Sequence, residues 1–170
     1  MGTASVGSKV QFVNLNENCS QLFPLFKAGF ERVVGDLYTN TADYLSRVER
    51  GRYECWLLQV EAEFVATVVH ERGFIEEYRG ATIPPKSIGI KTLIVFDPDK
   101  NRKKGYGTRL LDKVLEYARA NLANGVHVTV SEKAESACGF FAKKGFEPLH
   151  VWENFELRAQ GEEYLYYLNL

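Results

Sequence analysis

Between positions 96 and 108 the chain reads Phe-Asp-Pro-Asp-Lys-Asn-Arg-Lys-Lys-Gly-Tyr-Gly-Thr, a basic, glycine-rich turn between an apolar run and an amphipathic one. These are the residue types of an anion cradle. Gly105 and Gly107 permit backbone conformations and close approaches that a Cβ forbids. The first N–H groups of a helix have no partner within it, and the helix dipole favours negative charge at that end. Arg102, Lys103 and Lys104 add full positive charges, so a phosphate group would meet main-chain donors and cations together. Two other phosphate motifs are excluded by the letters themselves. A dinucleotide fingerprint needs a third glycine where Leu110 stands, and no Gly-Lys-Ser/Thr of a P-loop occurs in the chain.

Groups able to move protons are scattered more thinly. His127 and Glu132 flank the end of one apolar run, His70 and Glu71 end another, and Glu76 and Glu77 lie in the long segment between Arg72 and Ser87. A histidine near its ordinary pKa suits base catalysis at neutral pH. Tyr164, Tyr166 and Tyr167 could protonate a leaving group, and Cys138 is a candidate nucleophile. Each also has an ordinary reading, as a solvated polar residue, a satisfied core histidine or strand packing.

The elements that must hold these groups follow from periodicity. Alternation predicts a first strand over 10–15, and Asn16 or Asn18 can cap a helix running to about Phe30. A second short helix over 41–48 stops at Gly51. Strands over 53–60 and 63–71 form a hairpin through Glu61-Ala62. Residues 72–87 read as a long loop and a candidate substrate lid. A near-continuous apolar run over 88–96 fits a central strand buried on both faces. After Gly107, Leu110, Leu111, Val114, Leu115, Ala118 and Leu122 make one helical stripe, ended by Asn124-Gly125. A strand over 126–130, a helix over 135–144 capped by Gly145, and an antiparallel pair over 146–152 and 163–170 complete the chain.

Composition bounds the class. With 170 residues, 45% hydrophobic and 25% charged, the chain is expected to form one domain. A net charge of −1 argues against a general nucleic-acid-binding surface. Cys19, Cys55 and Cys138 are odd in number and lack metal-ligand spacing, so they read as reduced, buried thiols. The start, Met1 to Ser8, carries no secretory signal, Val6 stands where a myristoylation signal wants Ser or Thr, and no apolar run is long enough to span a bilayer. A cytoplasmic protein without membrane contact is expected.

The pattern Arg-x-x-Gly-x-Gly at 102–107, set between a strand and Thr-Arg-Leu-Leu-Asp-Lys-Val-Leu, resembles the pyrophosphate motif of the GNAT superfamily of N-acetyltransferases. A second segment, Ala-Cys-Gly-Phe-Phe-Ala-Lys-Lys-Gly-Phe at 137–146, is similar to the helix-to-strand unit that closes the coenzyme A site there. The resemblance implies an α/β (α+β) fold. Its mixed, mostly antiparallel central sheet is splayed between the fourth and fifth strands, with helices on both faces. It implies acetyl-CoA as cofactor, with Ile94, Val95 and Phe96 along the pantetheine arm, Arg102, Lys103, Lys104, Gly105, Tyr106, Gly107 and Thr108 on the pyrophosphate, and Ala137, Phe141 and Lys144 on the closing segment. Details of the cofactor grip are closest to the histone-lysine acetyltransferase branch.

The chain departs from the family at its proton-transfer positions. Phe141 stands where many members carry a tyrosine acid, and Lys91 and Thr92 stand where that branch has a glutamate base. His127 and Glu132 are therefore the substitute catalytic candidates. The expected activity is direct acetyl transfer to a primary amine, either a protein lysine or N-terminus, a nucleic-acid-linked amine or a small molecule, and Glu76-Glu77 favours a cationic acceptor. The alternative is a catalytically degenerate module that binds acyl-CoA without turnover; a nucleic-acid-binding role for the basic turn is weaker.

Overall fold

A computed structural model describes residues 7–35, 37–39, 41–153 and 161–170. Most of the leader reading, from Met1 to Val6, lies outside these. Seven strands form one sheet: β1 (Val10–Asn14), β2 (Glu54–Val60), β3 (Glu63–Phe74), β4 (Ser87–Val95), β5 (Gly125–Ser131), β6 (Glu147–Trp152) and β7 (Glu163–Asn169). Their order is β1-β2-β3-β4-β5-β7-β6. Every neighbour pair is antiparallel except β4–β5. A parallel pair needs a crossover, which the helix following the basic turn provides.

Helices cover both faces. On one, α1 (Cys19–Val34) and α2 (Ala42–Glu49) bury Leu22, Phe26, Phe30, Leu45 and Val48 against Cys55, Leu57, Val69 and Phe96. On the other, α3 (Tyr106–Ala120) and α4 (Glu135–Lys143) bury Leu110, Leu111, Val114, Ala118 and Phe141 against Leu58, Val68, Ile88 and the valines of β5. Successive residues Val68 and Val69 go to opposite cores, as strand alternation requires. Each such buried side chain contributes about 1.5–3 kcal/mol.

One extra residue in β4 sets the site. Val69 pairs with Thr92 and His70 with Ile90, which leaves Lys91 as a bulge. Past it the alternation is reset, so Ile88, Ile90, Leu93 and Val95 share the α3 face while Ile94 and Phe96 join the other core.

Three expectations change. Residues 72–87 are not a bare loop: β3 runs to Phe74, and Glu77–Tyr78 pairs with Ala81–Thr82 around Arg79 and Gly80, both with positive φ. Two successive left-handed residues are what a tight hairpin turn demands. Ala81 and Ile83 then pack on Leu165. Leu122 does not extend the helical stripe, because α3 ends at Ala120 and Leu122 lies beyond it at φ 57 and 78% exposed. Of the thiols, Cys55 alone is fully buried, and burial pushes it up to about 12.

Gly29 shows how tightly α1 sits on the sheet. A Cβ there would stand inside the Phe96 ring, with Cζ only 2.8 Å away. Gly29→Ala should lower unfolding free energy by about 1–3 kcal/mol through overpacking. Gly139→Ala, in α4 with nothing within 4 Å of the new methyl, should instead raise it by up to about 1 kcal/mol. Urea denaturation of the two variants checks both signs.

Candidate functional site

The site begins where the two central strands part. β4 and β5 pair only from Ser87↔Gly125 to Ile90↔Val128. Beyond that, β4 stays with β3 as far as Val95↔Ala66, and β5 stays with β7 as far as Ser131↔Glu163. The stretch Lys91 to Val95 therefore has no ladder partner on its β5 side among the described residues. The Phe96 N–H is taken by Val65 O at 2.8 Å. Alternation along an antiparallel ladder then directs the N–H and C=O of Val95 and Leu93 toward the gap.

A cavity of about 400 Å³ fills the parting. Leu93 and Ile94 wall it on the β4 side, Val128, Thr129 and Val130 on the β5 side, and Ala134, Ala137 and Phe141 from the α4 side. At its other end stand four tyrosines, Tyr38, Tyr44, Tyr53 and Tyr78, with Asp43, Arg47, Arg79 and Lys91. Tyr44 bridges helix to strand, its hydroxyl 2.5 Å from Thr92 Oγ1, and burial raises its pKa well above the ordinary value.

Just past β4, the basic turn is built from strained backbone. Asp97, Lys103 and Gly105 take left-handed φ values of 47°, 61° and 77°. Asn101, buried inside the turn, pins it by donating from Nδ2 to Phe96 O at 2.8 Å. α3 starts at Tyr106 with no side-chain cap, so its first N–H groups, from Tyr106 to Thr108, are left without intrahelical partners. Arg102, Lys103 and Lys104 are exposed beside them. The two glycines serve different ends. Gly105 supplies the left-handed φ and has open space around it, whereas a Cβ on Gly107 would lie 3.3 Å from the Phe140 ring. Gly107 thus admits α4 against α3. Lys144, exposed at the end of α4, sets its Nζ 5.7 Å from the centroid of the same ring.

Of the ionisable candidates, the structure brings His127 to the cavity wall and leaves Glu132 outside it. His127 Nδ1 lies 2.7 Å from Ser87 Oγ, and its Nε2 lies over Gly89, 2.6 Å from where a Cβ would be. Burial, reinforced by the positive charge of Lys91, pushes His127 down to about 4. Glu132 instead packs over Gly161, and its N–H donates to Glu162 O at 3.1 Å. His70 is buried against the Tyr117 ring, away from the cavity, and burial lowers its pKa. Glu71 places Oε1 3.2 Å from Lys91 Nζ. Glu76 and Glu77 are exposed and do not line the cavity. Neither do Tyr164, Tyr166, Tyr167 or Cys138. Tyr164 is held by Glu162 and pushed up to about 12.

Comparison with known proteins decides the family. Residues 20–146 match the acetyltransferase (GNAT) family. The chain belongs to the GNAT acetyltransferases. No curated protein matches it. Among solved structures, Arabidopsis thaliana NAA60 in complex with a bisubstrate analogue shares 18% identity at a TM-score of 0.74, over 95% of this chain and 98% of that one. A GNAT acetyltransferase from Desulfovibrio desulfuricans shares 17% at 0.68, over 95% and 99%. A Bacillus subtilis acetyltransferase in complex with CoA shares 17% at 0.65, over 95% and 99%. These likenesses are of fold: a mixed sheet, mostly antiparallel, with helices on both faces. No helix among the described residues is long and apolar enough to cross a membrane.

What the letters of this GNAT chain do not reveal is the tyrosine cluster. Its members come from the segment after α1, from α2, from the residue before β2 and from the hairpin after β3, and no spacing links them.

His127 gives a pH signature. It is 4% exposed and stays neutral in the fold down to about 4, whereas in the unfolded chain it charges below about 6.5. Its folded pKa is depressed, so its contribution is fully present above the unfolded value and is lost as pH falls from there to about 4. The loss is of order 3 kcal/mol. Urea midpoints across this window should fall less steeply in His127→Gln than in the parent.

Proposed function

We propose that the chain, acting as one domain over 1–170, transfers an acetyl group from acetyl-CoA directly to a primary amine. The observation that carries this reading is the run of unpaired main chain at Leu93 and Val95, with Leu93 on the wall of the cavity and the uncapped start of α3 following the strand. Buried donors and acceptors without partners are costly, and an amide-bearing arm laid between the strands satisfies them. Acetyl-CoA, when bound, supplies that arm, a pyrophosphate and the activated acetyl thioester.

Each part of the site then has one task. The N–H groups from Gly105 to Thr108, with Arg102, Lys103 and Lys104, hold the pyrophosphate by charge-assisted contacts. Val95 offers its N–H toward the developing oxyanion; Phe96, committed to Val65, does not. Ala137 and Phe141 close the apolar wall, and Lys144 stands at its rim. His127 receives a proton from the acceptor amine. The tautomer that donates Nδ1–H to Ser87 Oγ leaves Nε2 free to accept it. Orientation of the two reactants supplies a large share of the rate. The acceptor enters from the tyrosine end. Three reduced thiols suit a reducing compartment, the cytoplasm.

One observation favours the second reading, an acyl-CoA-binding module. Phe141 is buried among Phe140 and Phe146 and has no proton to give the leaving thiolate.

Thiol release from acetyl-CoA over a panel of amines, together with CoA calorimetry, separates the two. Gly105→Ala should weaken CoA binding about tenfold, because its left-handed φ penalises a Cβ by 1–2 kcal/mol. His127→Ala should lower kcat about a hundredfold or more while leaving CoA affinity unchanged. Tight CoA binding with no release toward any amine would decide for the module.

A further inference from the structure

We propose that Lys91 is itself an acetyl acceptor, a self-acetylation site built into the wall of the transfer cavity. The inference rests on the reading of acetyl-CoA as donor. Lys91 is the bulged residue of β4 and the first past the last β4–β5 pair, so its backbone marks the point where the strands part. Its side chain lines the cavity and reaches toward the tyrosine end, on the sheet face opposite α3. The Nζ lies 5.0 Å from the Tyr78 ring centroid, 6.0 Å from that of Tyr53 and 3.2 Å from Glu71 Oε1. A primary ammonium held by aromatic faces and one carboxylate is what an amine acceptor would need at that end.

Comparison within the molecule shows that this pair is unusual. Lys91 and Glu71 are 23% and 12% exposed; the Arg72–Glu54 pair has a carboxylate as buried, at 13%, but its guanidinium is 46% exposed, and the Lys27–Glu31, Arg47–Asp43 and Lys100–Glu63 partners are each about half exposed or more. A largely buried ion pair gives up much of its Coulombic gain to desolvation. With its ammonium on the cavity wall, the pair is poorly explained by stability and well explained by proton transfer.

The step balances without any further reactant. The Lys91 ammonium passes one proton to the Glu71 carboxylate. The neutral amine attacks the thioester carbonyl, so a C–N bond forms as the C–S bond breaks. A second amine proton ends on the departing thiolate, which leaves acetyl-lysine, protonated Glu71 and free coenzyme A. The product amide keeps its contact with the tyrosine rings, and Glu71, once its proton has passed to solvent, becomes open to the ammonium of an incoming acceptor.

The test is to incubate the purified full chain with acetyl-CoA alone and follow each lysine by peptide mass mapping, with CoA binding measured on the same sample by calorimetry. Lys91 should gain one acetyl group at least about tenfold faster than the exposed Lys27 and Lys133, and excess CoA should suppress it. Glu71→Gln should slow this about tenfold at neutral pH, with the deficit shrinking as pH rises and solvent takes over deprotonation. Lys91→Arg should bind CoA and show no modification at that position. If the chain binds CoA but Lys91 reacts no faster than Lys27, the proposal fails and acetyl-CoA use stands. If no CoA heat is seen, both fall together.

Discussion

The separation of β4 from β5 is the constraint on which the molecule is organised. Neither strand is free to close the gap, because each is committed to its other neighbour: β4 to β3 through Val95, and β5 to β7 through Ser131. The bulge at Lys91 bends β4 where pairing with β5 stops, and a bulge increases local twist. Unmade backbone hydrogen bonds cost about 1–3 kcal/mol each when buried. The two cores, one on each face of the sheet, more than offset that. The opening is held from outside and is ready before any ligand arrives.

The same strand that leaves its edge open also leads into the basic, glycine-rich turn. β4 ends at Val95, the buried Asn101 anchors the following turn to Phe96 O, and α3 starts five residues after that anchor. Since α3 is packed through Leu110, Leu111, Val114 and Ala118 into the core beneath β4 and β5, its uncapped N-terminus cannot drift from the gap. The uncapped helix start and the open strand edge thus form one rigid unit. Gly107, by letting Phe140 approach α3, fixes the closing helix to the same unit.

How much of this was legible depended on whether the signal was local. The helical stripe, the capping conformation of Gly145 at φ 90 and the left-handed need at Gly105 are properties of short windows, and all lie where periodicity and turn chemistry put them. The resemblance supplied the splay. Local reasoning failed where tertiary partners decide. Leu122 looked like one more apolar residue of the stripe, but the chain had already left the helix. That Gly107 also admits an aromatic ring thirty-three residues away is not visible in any short window. The segment after β3 reads as polar loop because only Ala81 and Ile83 are buried within its hairpin, and their partner Leu165 lies near the end of the chain. Tyr38, Tyr44, Tyr53 and Tyr78 meet only after folding.

Two ionisable groups share the cavity wall, and the fold treats them oppositely. His127, with a neutral hydroxyl as its hydrogen-bond partner, is kept uncharged by burial, and the neighbouring Lys91 charge opposes its protonation further. Lys91, with a carboxylate 3.2 Å away, has its positive charge balanced instead. Coulombic repulsion between the two makes the arrangement self-consistent: one positive charge on this wall disfavours a second. An amine arriving as ammonium therefore meets a wall where Glu71 is already engaged and His127 resists charging. Removing the Lys91 charge lifts both obstacles at once, since Glu71 is released and the repulsion on the imidazole disappears. This wall is an electrostatic unit rather than a set of independent residues, because the charge on Lys91 engages Glu71 and opposes charging of His127.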